Sequence, residues 1–383
     1  MIAYFDNSTT SFPKPQEVIT AISDLLTNYN ASPGRSGHQF SVRAAREVFD
    51  TREIIAQLFN APSSDKVIFA ANATHALNLA FKGLLKKGDH VIISKMEHNS
   101  VLRPLRHLEE QGLIEISLVN CSVEGQINID ELKKSFKPNT KLVATLHGSN
   151  VAGTLFPVKE IGEICKRNNV LYLVDAAQSA GFTPIDMQND NIDLLVFTGH
   201  KKMLGPTGIG GLVINGDIKI NTTIHGGTGS RSENDLHPDF YPDCLEAGTI
   251  NTTGIIGLKA GIEYLLKNGI ENLKEYQLNL TRFFINQLKG IEDVILYGAV
   301  ANTDRLPLVT MNIKNIVPSD LAFLLDHDYN IMVRAGLHCS PLAHKTIGTF
   351  PQGAVRFGIG CFNTEEEIKY AINALKEIIF KHK

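Results

Sequence analysis

The chain has 383 residues, 43% of them hydrophobic and 20% charged, with a formal net charge of −3. That length exceeds what one hydrophobic core ordinarily serves, so two domains are the default expectation. The near-neutral charge offers no general attraction to nucleic acid or an anionic membrane, and no apolar run is long enough to span a bilayer.

The opening residues, MIAYFDNSTTSFPKP, lack the basic and apolar regions of a signal peptide. Cys121, Cys165, Cys244, Cys339 and Cys361 are odd in number and show no CxxC spacing. This argues against a disulfide framework or zinc site and suits a reducing cytoplasm. Phe12-Pro13-Lys14-Pro15 closes an extended arm. A helix is expected from Gln16 to about Tyr29, stopped by the turn-rich Asn30-Ala31-Ser32-Pro33-Gly34, and a long amphipathic helix runs from after His38 to about Phe59.

From Lys66 onward strands and helices alternate, the pattern of a mostly parallel α/β sheet. The strand Lys66 to Ala70 feeds Asn72-Ala73-Thr74-His75 and a helix through Leu85. Small polar residues entering a helix form either an anion site or a plain cap by Asn72 or Thr74. No Walker pattern occurs, so a nucleotide is not implied. The strand His90 to Ser94 leads to His98, at a strand-to-helix junction where capping and catalysis are both open. Ile114 to Val119 and Leu142 to Leu146 continue the pattern. The second delivers His147-Gly148-Ser149-Asn150, and a helix from Val158 to Asn168 follows.

The stretch Val170 to Leu212 organises the rest. Val170 to Val174, Ile192 to Phe197 and Gly210 to Val213 read as buried strands. The first ends in Asp175; the second ends in Thr198, His200 and Lys201. Ligands in open α/β sheets sit outside the carboxyl ends of strands, so these groups should share one cleft. A carboxylate and a lysine on separate buried strands suit pyridoxal phosphate, which needs a Schiff-base lysine and an acidic partner for its pyridinium nitrogen.

Residues 221 to 250 are polar and rich in Gly and Pro, hence mostly loop. Helices are expected at Gly254 to Asn268 and Asn272 to Leu288. Strand, strand, helix, strand, strand and a final helix (Thr364 to Lys381) follow as a smaller α+β domain. The expected division is 15–253 and 254–383, with the arm 1–14 packed on the smaller part. In Val333-Arg334-Ala335-Gly336-Leu337-His338-Cys339-Ser340-Pro341, a cysteine beside His and Arg is a nucleophile candidate, with a half-buried structural thiol as the alternative. Metal binding by His338, Cys339 and His344 ranks low because no fourth ligand has suitable spacing. Arg356 suits either a bidentate pair with a substrate carboxylate or an ordinary salt bridge.

Taken together, YFDNSTT, MEHNS, VDAAQ, FTGHK, EAGTIN and VRAGLHCSPLAHKTIGT resemble the class V aminotransferase fold family, and within it the group II cysteine desulfurases and selenocysteine lyases. The resemblance covers essentially the whole chain and implies the fold-type I architecture of PLP-dependent transferases. It implies pyridoxal 5'-phosphate on Lys201, with Asp175 at the pyridinium nitrogen, Gln178 and Asn150 near the phenolic oxygen, and His98 stacked on the ring. Thr74, His75, Thr198 and His200 would cradle the phosphate. Thr249 would reach the cofactor of a second subunit, which requires a homodimer with shared active sites. Arg356 would clamp the substrate carboxylate with Asn150 nearby, and Cys339 would take sulfur from L-cysteine as a persulfide, leaving alanine and supplying an acceptor protein.

Some positions depart from the family pattern. Counting back from Gly205-Pro206 favours Lys202 as the cofactor lysine, whereas the Gly-His anchor and the spacing from Asp175 favour Lys201, the residue expected here. Leu337 stands where a second His is common, Ala73 replaces a common Thr, and the region 215–245 is shorter than in better-known members. The alternatives are a selenocysteine lyase, an aminotransferase or lyase that does not use Cys339, and a scaffold without catalysis.

Overall fold

The apolar runs separated by polar turns in this chain form strands with both faces covered, and the amphipathic segments between them form the covering helices. The structure, a computed structural model, describes residues 1–301 and 304–382. After a short strand β1 (Ala3–Tyr4), helices α1 (Gln16–Asp24) and α2 (Gln39–Leu58) precede the larger sheet; α1 continues as a π-helical turn through Tyr29. Strands β2 (Val67–Ala70), β3 (Asp89–Ser94), β4 (Ile114–Val119), β5 (Thr140–Leu146), β6 (Leu171–Asp175), β7 (Leu194–Thr198) and β8 (Gly210–Ile214) build it. Their spatial order is β2-β8-β7-β6-β5-β3-β4. Every pair is parallel except those made by β8, which runs against both β2 and β7.

Successive residues of the central strands enter opposite cores. Val143, Tyr172 and Val174 pack with Ile161 of α6 (Val158–Arg167) and with Ile55 and Phe59 of and after α2. Leu142, Ala144 and Leu173 pack with α3 (Ala73–Leu84) and α4 (Asn99–Glu110) on the other face. A short α5 (Ile129–Lys134) lies between β4 and β5. The close approach of β8 depends on glycine: a Cβ on Gly210 would meet the Phe197 carbonyl at 2.6 Å and Asn72 Cα at 3.0 Å.

The smaller sheet is antiparallel, in the order β12-β13-β10-β9, from β9 (Val294–Tyr297), β10 (Leu308–Ile313), β12 (Arg334–Gly336) and β13 (Ala354–Gly358). Helices α8 (Ile270–Lys289), α9 (Pro318–Tyr329) and α11 (Glu365–Lys381) supply Phe284, Leu325 and Leu375 to its core. The arm joins this part: β1 pairs in parallel with β11 (Ile331–Met332), and Ala3 and Phe5 are buried in the same core.

Two details differ from the sequence reading. Helix α7 (Thr252–Asn268) puts Ile255, Leu258 and Ile262 into the core of the larger sheet, so a cut at 253/254 falls inside an element that packs there. The segment between β12 and β13 contains an extra short helix, α10 (Pro341–Thr346), whose proline start and length of 6 residues give little periodic signal. The segment 221–250 is loop as expected, carrying no helix or strand, and Leu245 and Cys244 are buried in the α3/α4 core.

Candidate active site

The parallel strands present their carboxyl ends along one edge, so each delivers its next residues to the same place. A cavity of about 270 Å³ lies there, lined by Thr74 from α3, His98 after β3, Asn150 after β5, Asp175 and Gln178 after β6, and Thr198, His200 and Lys201 after β7. Of the remaining residues singled out in the sequence, Cys339 and Arg356 stand beside this cavity, and His75 and Thr249 together line an adjoining groove.

Lys201 is half-buried on the cavity wall. Burial pushes its amine down to about 8, against the opposing pull of the Asp175 carboxylate. Burial raises Asp175 above the ordinary carboxylate range, and the bond its Oδ1 accepts from the Ala177 N–H (2.9 Å) and the Lys201 charge counter that rise. Lys202 points elsewhere, donating from Nζ to Gln277 Oε1 (3.0 Å) and the Ile359 carbonyl (2.7 Å). Adjacency in sequence does not carry over to adjacency in the site.

His98 both caps and lines. Its Nδ1 accepts from the Ser100 N–H (3.0 Å) at the start of α4, which leaves the proton of the neutral ring on Nε2. Burial, then the charges of Lys201, Arg334 and Arg356, push it down to about 4, so the ring is neutral at physiological pH. Asn72 similarly caps α3, accepting from the His75 N–H (3.0 Å). The capping reading of that turn and the anion reading are therefore compatible, because Ala73 and Thr74 still face the cavity from the helix N-terminus.

Two buried polar atoms on this wall have no protein partner: Thr198 Oγ1 and His200 Nδ1. Thr74 Oγ1 beside them shares a hydrogen bond with Ser100 Oγ (2.7 Å). Buried polar atoms left unsatisfied are costly unless a partner arrives, and a phosphate held beside the N-terminus of α3 is such a partner. With Lys201 and Asp175 in the same cavity, the residues fit a pyridoxal phosphate group. The His75 side chain lines the adjoining groove and not this cavity. Its Nδ1 accepts from the Ala71 N–H (3.2 Å), and its buried, unpartnered Nε2 belongs to a side chain lining the adjoining groove.

Arg356 is 1% exposed and makes a salt bridge to Asp6. Nη1 donates to the Asn150 carbonyl (2.9 Å), and Nη2 donates to Asp6 Oδ1 (3.2 Å) and Thr9 Oγ1 (3.0 Å). Of the five N–H groups of a guanidinium, these bonds leave the Nε–H, which is buried with no partner, and one on Nη1. Asn150, expected at a cofactor oxygen, also binds the cysteine loop: its Nδ2 donates to the His338 carbonyl (2.8 Å) and its Oδ1 accepts from Ser340 Oγ (3.0 Å). Gln178 Nε2 donates to the Ser8 carbonyl (2.9 Å).

The exposed Cys339 is held next to the wall, since its carbonyl accepts from the N–H of Asn99 (2.8 Å), the residue after His98. The imidazole beside it in sequence is not its partner: His338 is buried, bonding His344 and the Arg334 carbonyl. The partner is Arg334, whose Nη2 lies 3.3 Å from Sγ. Arg334 stands inside the quoted motif, but neither its contact nor the arm residues Asp6, Ser8 and Thr9 carry a periodic signal. Asp6 and Thr9 meet Arg356 and Arg334 from more than 300 positions away in sequence, and Ser8 meets Gln178 from 170. Among the described residues no His, Cys, Asp and Glu groups cluster as a metal site.

Comparison with known proteins agrees with this geometry. The family model described as aminotransferase class-V matches residues 3–371. A probable cysteine desulfurase of Methanothermobacter thermautotrophicus is 35% identical over 98% of this chain and 94% of its own length. The cysteine desulfurase IscS of Clostridium botulinum is 32% identical over 98% of this chain and 94% of that protein. A structure titled as the apo cysteine desulfurase from Thermococcus onnurineus NA1 superposes with a TM-score of 0.92 at 32% identity, covering 99% of this chain and 95% of that one. On sequence and fold alike, this chain belongs to the aminotransferase class-V family.

Proposed function

We propose that this protein is a pyridoxal phosphate-dependent cysteine desulfurase that converts L-cysteine to L-alanine and leaves sulfur on Cys339 as a persulfide. What supports the reading is the meeting of Lys201 and Asp175 in one buried cavity, with Cys339 and Arg334 beside it. Lys201 would hold the cofactor, Asp175 its ring nitrogen, His98 its face, Asn150 and Gln178 its phenolic side, and Thr74, Thr198 and His200 its phosphate. When bound, pyridoxal phosphate supplies an electron sink for a carbanion at the substrate Cα.

The chain's own groups do the rest. Arg356 would hold the substrate carboxylate through one of its two remaining N–H groups, which lie on different edges of the guanidinium, and so orient the amino acid. The Lys201 amine, lowered to about 8, has a neutral fraction near neutral pH and takes the Cα proton. The Cys339 thiolate attacks the substrate sulfur: an S–S bond forms, the Cβ–S bond breaks, and its electron pair stays with the carbon skeleton that leaves as alanine. The Arg334 guanidinium faces the attacking sulfur.

Thr249 is exposed and lies outside this chain's cavity, in a groove it shares with His75. With the exposed Phe40, Val42 and Phe49 along α2, this supports a homodimer in which Thr249 serves the other subunit's phosphate. The five free cysteines suit a reducing cytoplasm, and no described helix is long and apolar enough to cross a membrane. An acceptor protein for the persulfide completes the reading.

The test is alanine release from L-cysteine and L-selenocysteine by the loaded enzyme, beside Cys339→Ala. Release from cysteine that disappears in the variant is the expected result. Efficient turnover of selenocysteine alone supports a lyase instead, and an unaffected variant removes Cys339 from the reaction.

A further inference from the structure

Two successive residues other than glycine, His338 (φ +48°) and Cys339 (φ +58°), sit in left-handed backbone. Such conformations persist only where the surroundings over-determine them. Part of that constraint comes from Asn150 and Asn99, which bind the carbonyls of His338 and Cys339 at 2.8 Å each. The turn is also closed by the Ser340 N–H on the Leu337 carbonyl (2.8 Å), and a further part of the constraint is imidazole. His338 and His344 are 2% and 0% exposed, and His338 Nδ1 lies 3.0 Å from His344 Nε2. The outer nitrogens end on the Arg334 carbonyl (3.2 Å) and on Thr349 Oγ1 (2.6 Å).

Donor logic sets the direction of this chain. A carbonyl only accepts, so His338 Nε2 carries a proton, and the Nδ1 of the neutral ring accepts. His344 Nε2 therefore donates, and His344 Nδ1 accepts from the Thr349 hydroxyl. The reverse arrangement needs a doubly protonated His338. The charged groups facing the pair are Arg334 from β12 and Arg356 from β13, both cationic, so that state is opposed by charge as well as by burial. Burial and Arg356 push His344 down to about 4. The chain ends on the backbone of Arg334, whose guanidinium touches the Cys339 sulfur, and so closes the loop between those two residues.

We infer that His338 and His344 are positioning residues for Cys339, two neutral imidazoles that hold its loop in the left-handed conformation setting the thiol against Arg334. The kinetic consequence rests on the desulfurase reading; the placement of the thiol does not.

The test compares His344→Leu, which breaks the chain, with His344→Gln, which keeps one donor and one acceptor. The first measurement is the ratio of Cys339 alkylation rates by iodoacetate and by iodoacetamide, resolved by peptide mass spectrometry. Loss of the guanidinium contact should lower that ratio several-fold in the leucine variant, with recovery in the glutamine variant. The second is steady-state kinetics on L-cysteine with the loaded enzyme. A misplacement of about 1 Å costs on the order of 100-fold, so kcat should fall by about that factor in His344→Leu with KM retained. Exchange of the L-alanine Cα proton in D2O, which needs no thiol, should stay at the wild-type rate. An unchanged alkylation ratio, or an equal loss in proton exchange, overturns the inference. Should the leucine variant fail to fold, Thr349→Val removes the outer donor, together with that hydroxyl's longer 3.4 Å contact to the His344 carbonyl, and it must shift the ratio in the same direction for the inference to stand. A wild type that releases no alanine sinks the desulfurase reading, and the alkylation ratio then decides the positioning role by itself.

Discussion

Lys201 and Lys202 are neighbours in the chain and occupy different cavities: the first shares its wall with Asp175, the second shares its own with Gln277 and Cys361. Borohydride reduction of the loaded enzyme, followed by peptide mapping, should therefore find the cofactor on Lys201. A label on Lys202 contradicts the assignment. Lys201→Ala should abolish alanine release, whereas Lys202→Met should keep the cofactor and lower the melting temperature. The lost buried donor leaves the Ile359 carbonyl short of a partner, worth about 1–3 kcal/mol.

Thr9 joins the two arginines of the site. Its Oγ1 accepts from Arg334 Nη1 (3.2 Å) and Arg356 Nη2 (3.0 Å) while donating to Asp6 Oδ1 (2.7 Å). Thr9→Val keeps the shape and removes all three bonds. If Arg356 orients the substrate carboxylate, KM for L-cysteine should rise by about fivefold with a smaller change in kcat, as expected for roughly 1 kcal/mol of lost binding. Steady-state kinetics checks the split.

Glu97 introduces a pH dependence of stability. Its carboxyl group is buried beneath β3 and β5, where its Oε2 accepts from the Leu146 N–H (3.0 Å), and burial raises it from 4.5 to about 8. The folded state thus binds this proton more tightly than the unfolded state. The resulting stability is fully present below pH 4.5 and is lost as pH rises through about 8. In thermal melts, the stability of Glu97→Gln relative to wild type should increase steadily across that window. A difference that is flat with pH contradicts a raised Glu97.

The Arg52–Glu246 pair fixes the loop that carries Thr249. Arg52 Nη1 and Nη2 meet Glu246 Oε1 and Oε2 at 2.8 and 2.6 Å, and the Phe69 N–H adds a third donor at 2.6 Å. Removing one partner strands a buried charge, so Arg52→Met should cost about 3–5 kcal/mol by denaturant titration. If Thr249 serves the second subunit, the same change should also weaken phosphate retention in the dimer.

The strand ends were legible because each is an apolar run broken by a polar cluster, and parallel strands bring such clusters to one edge. Asp175, Thr198 and Lys201 are found that way without any knowledge of contacts. Other features have no local signature. The single reversed strand β8 looks like its parallel neighbours, since burial on both faces erases the alternation that would mark it. Helix α7 is apolar enough to suit either core, and only packing assigns it to the larger sheet. His338 adjoins Cys339 in sequence, but its left-handed backbone turns the ring into the core, leaving Arg334 to face the sulfur. Nearness along the chain therefore does not decide which side chain faces the sulfur; backbone conformation does, and spacing alone does not encode it.

The most direct measurement is intact and peptide mass spectrometry of the loaded enzyme after one turnover with L-cysteine, with alanine measured in the same sample. The account predicts one added sulfur atom on Cys339 and an equivalent of alanine. Alanine formed with no sulfur on Cys339, or sulfur found on another cysteine, would contradict it.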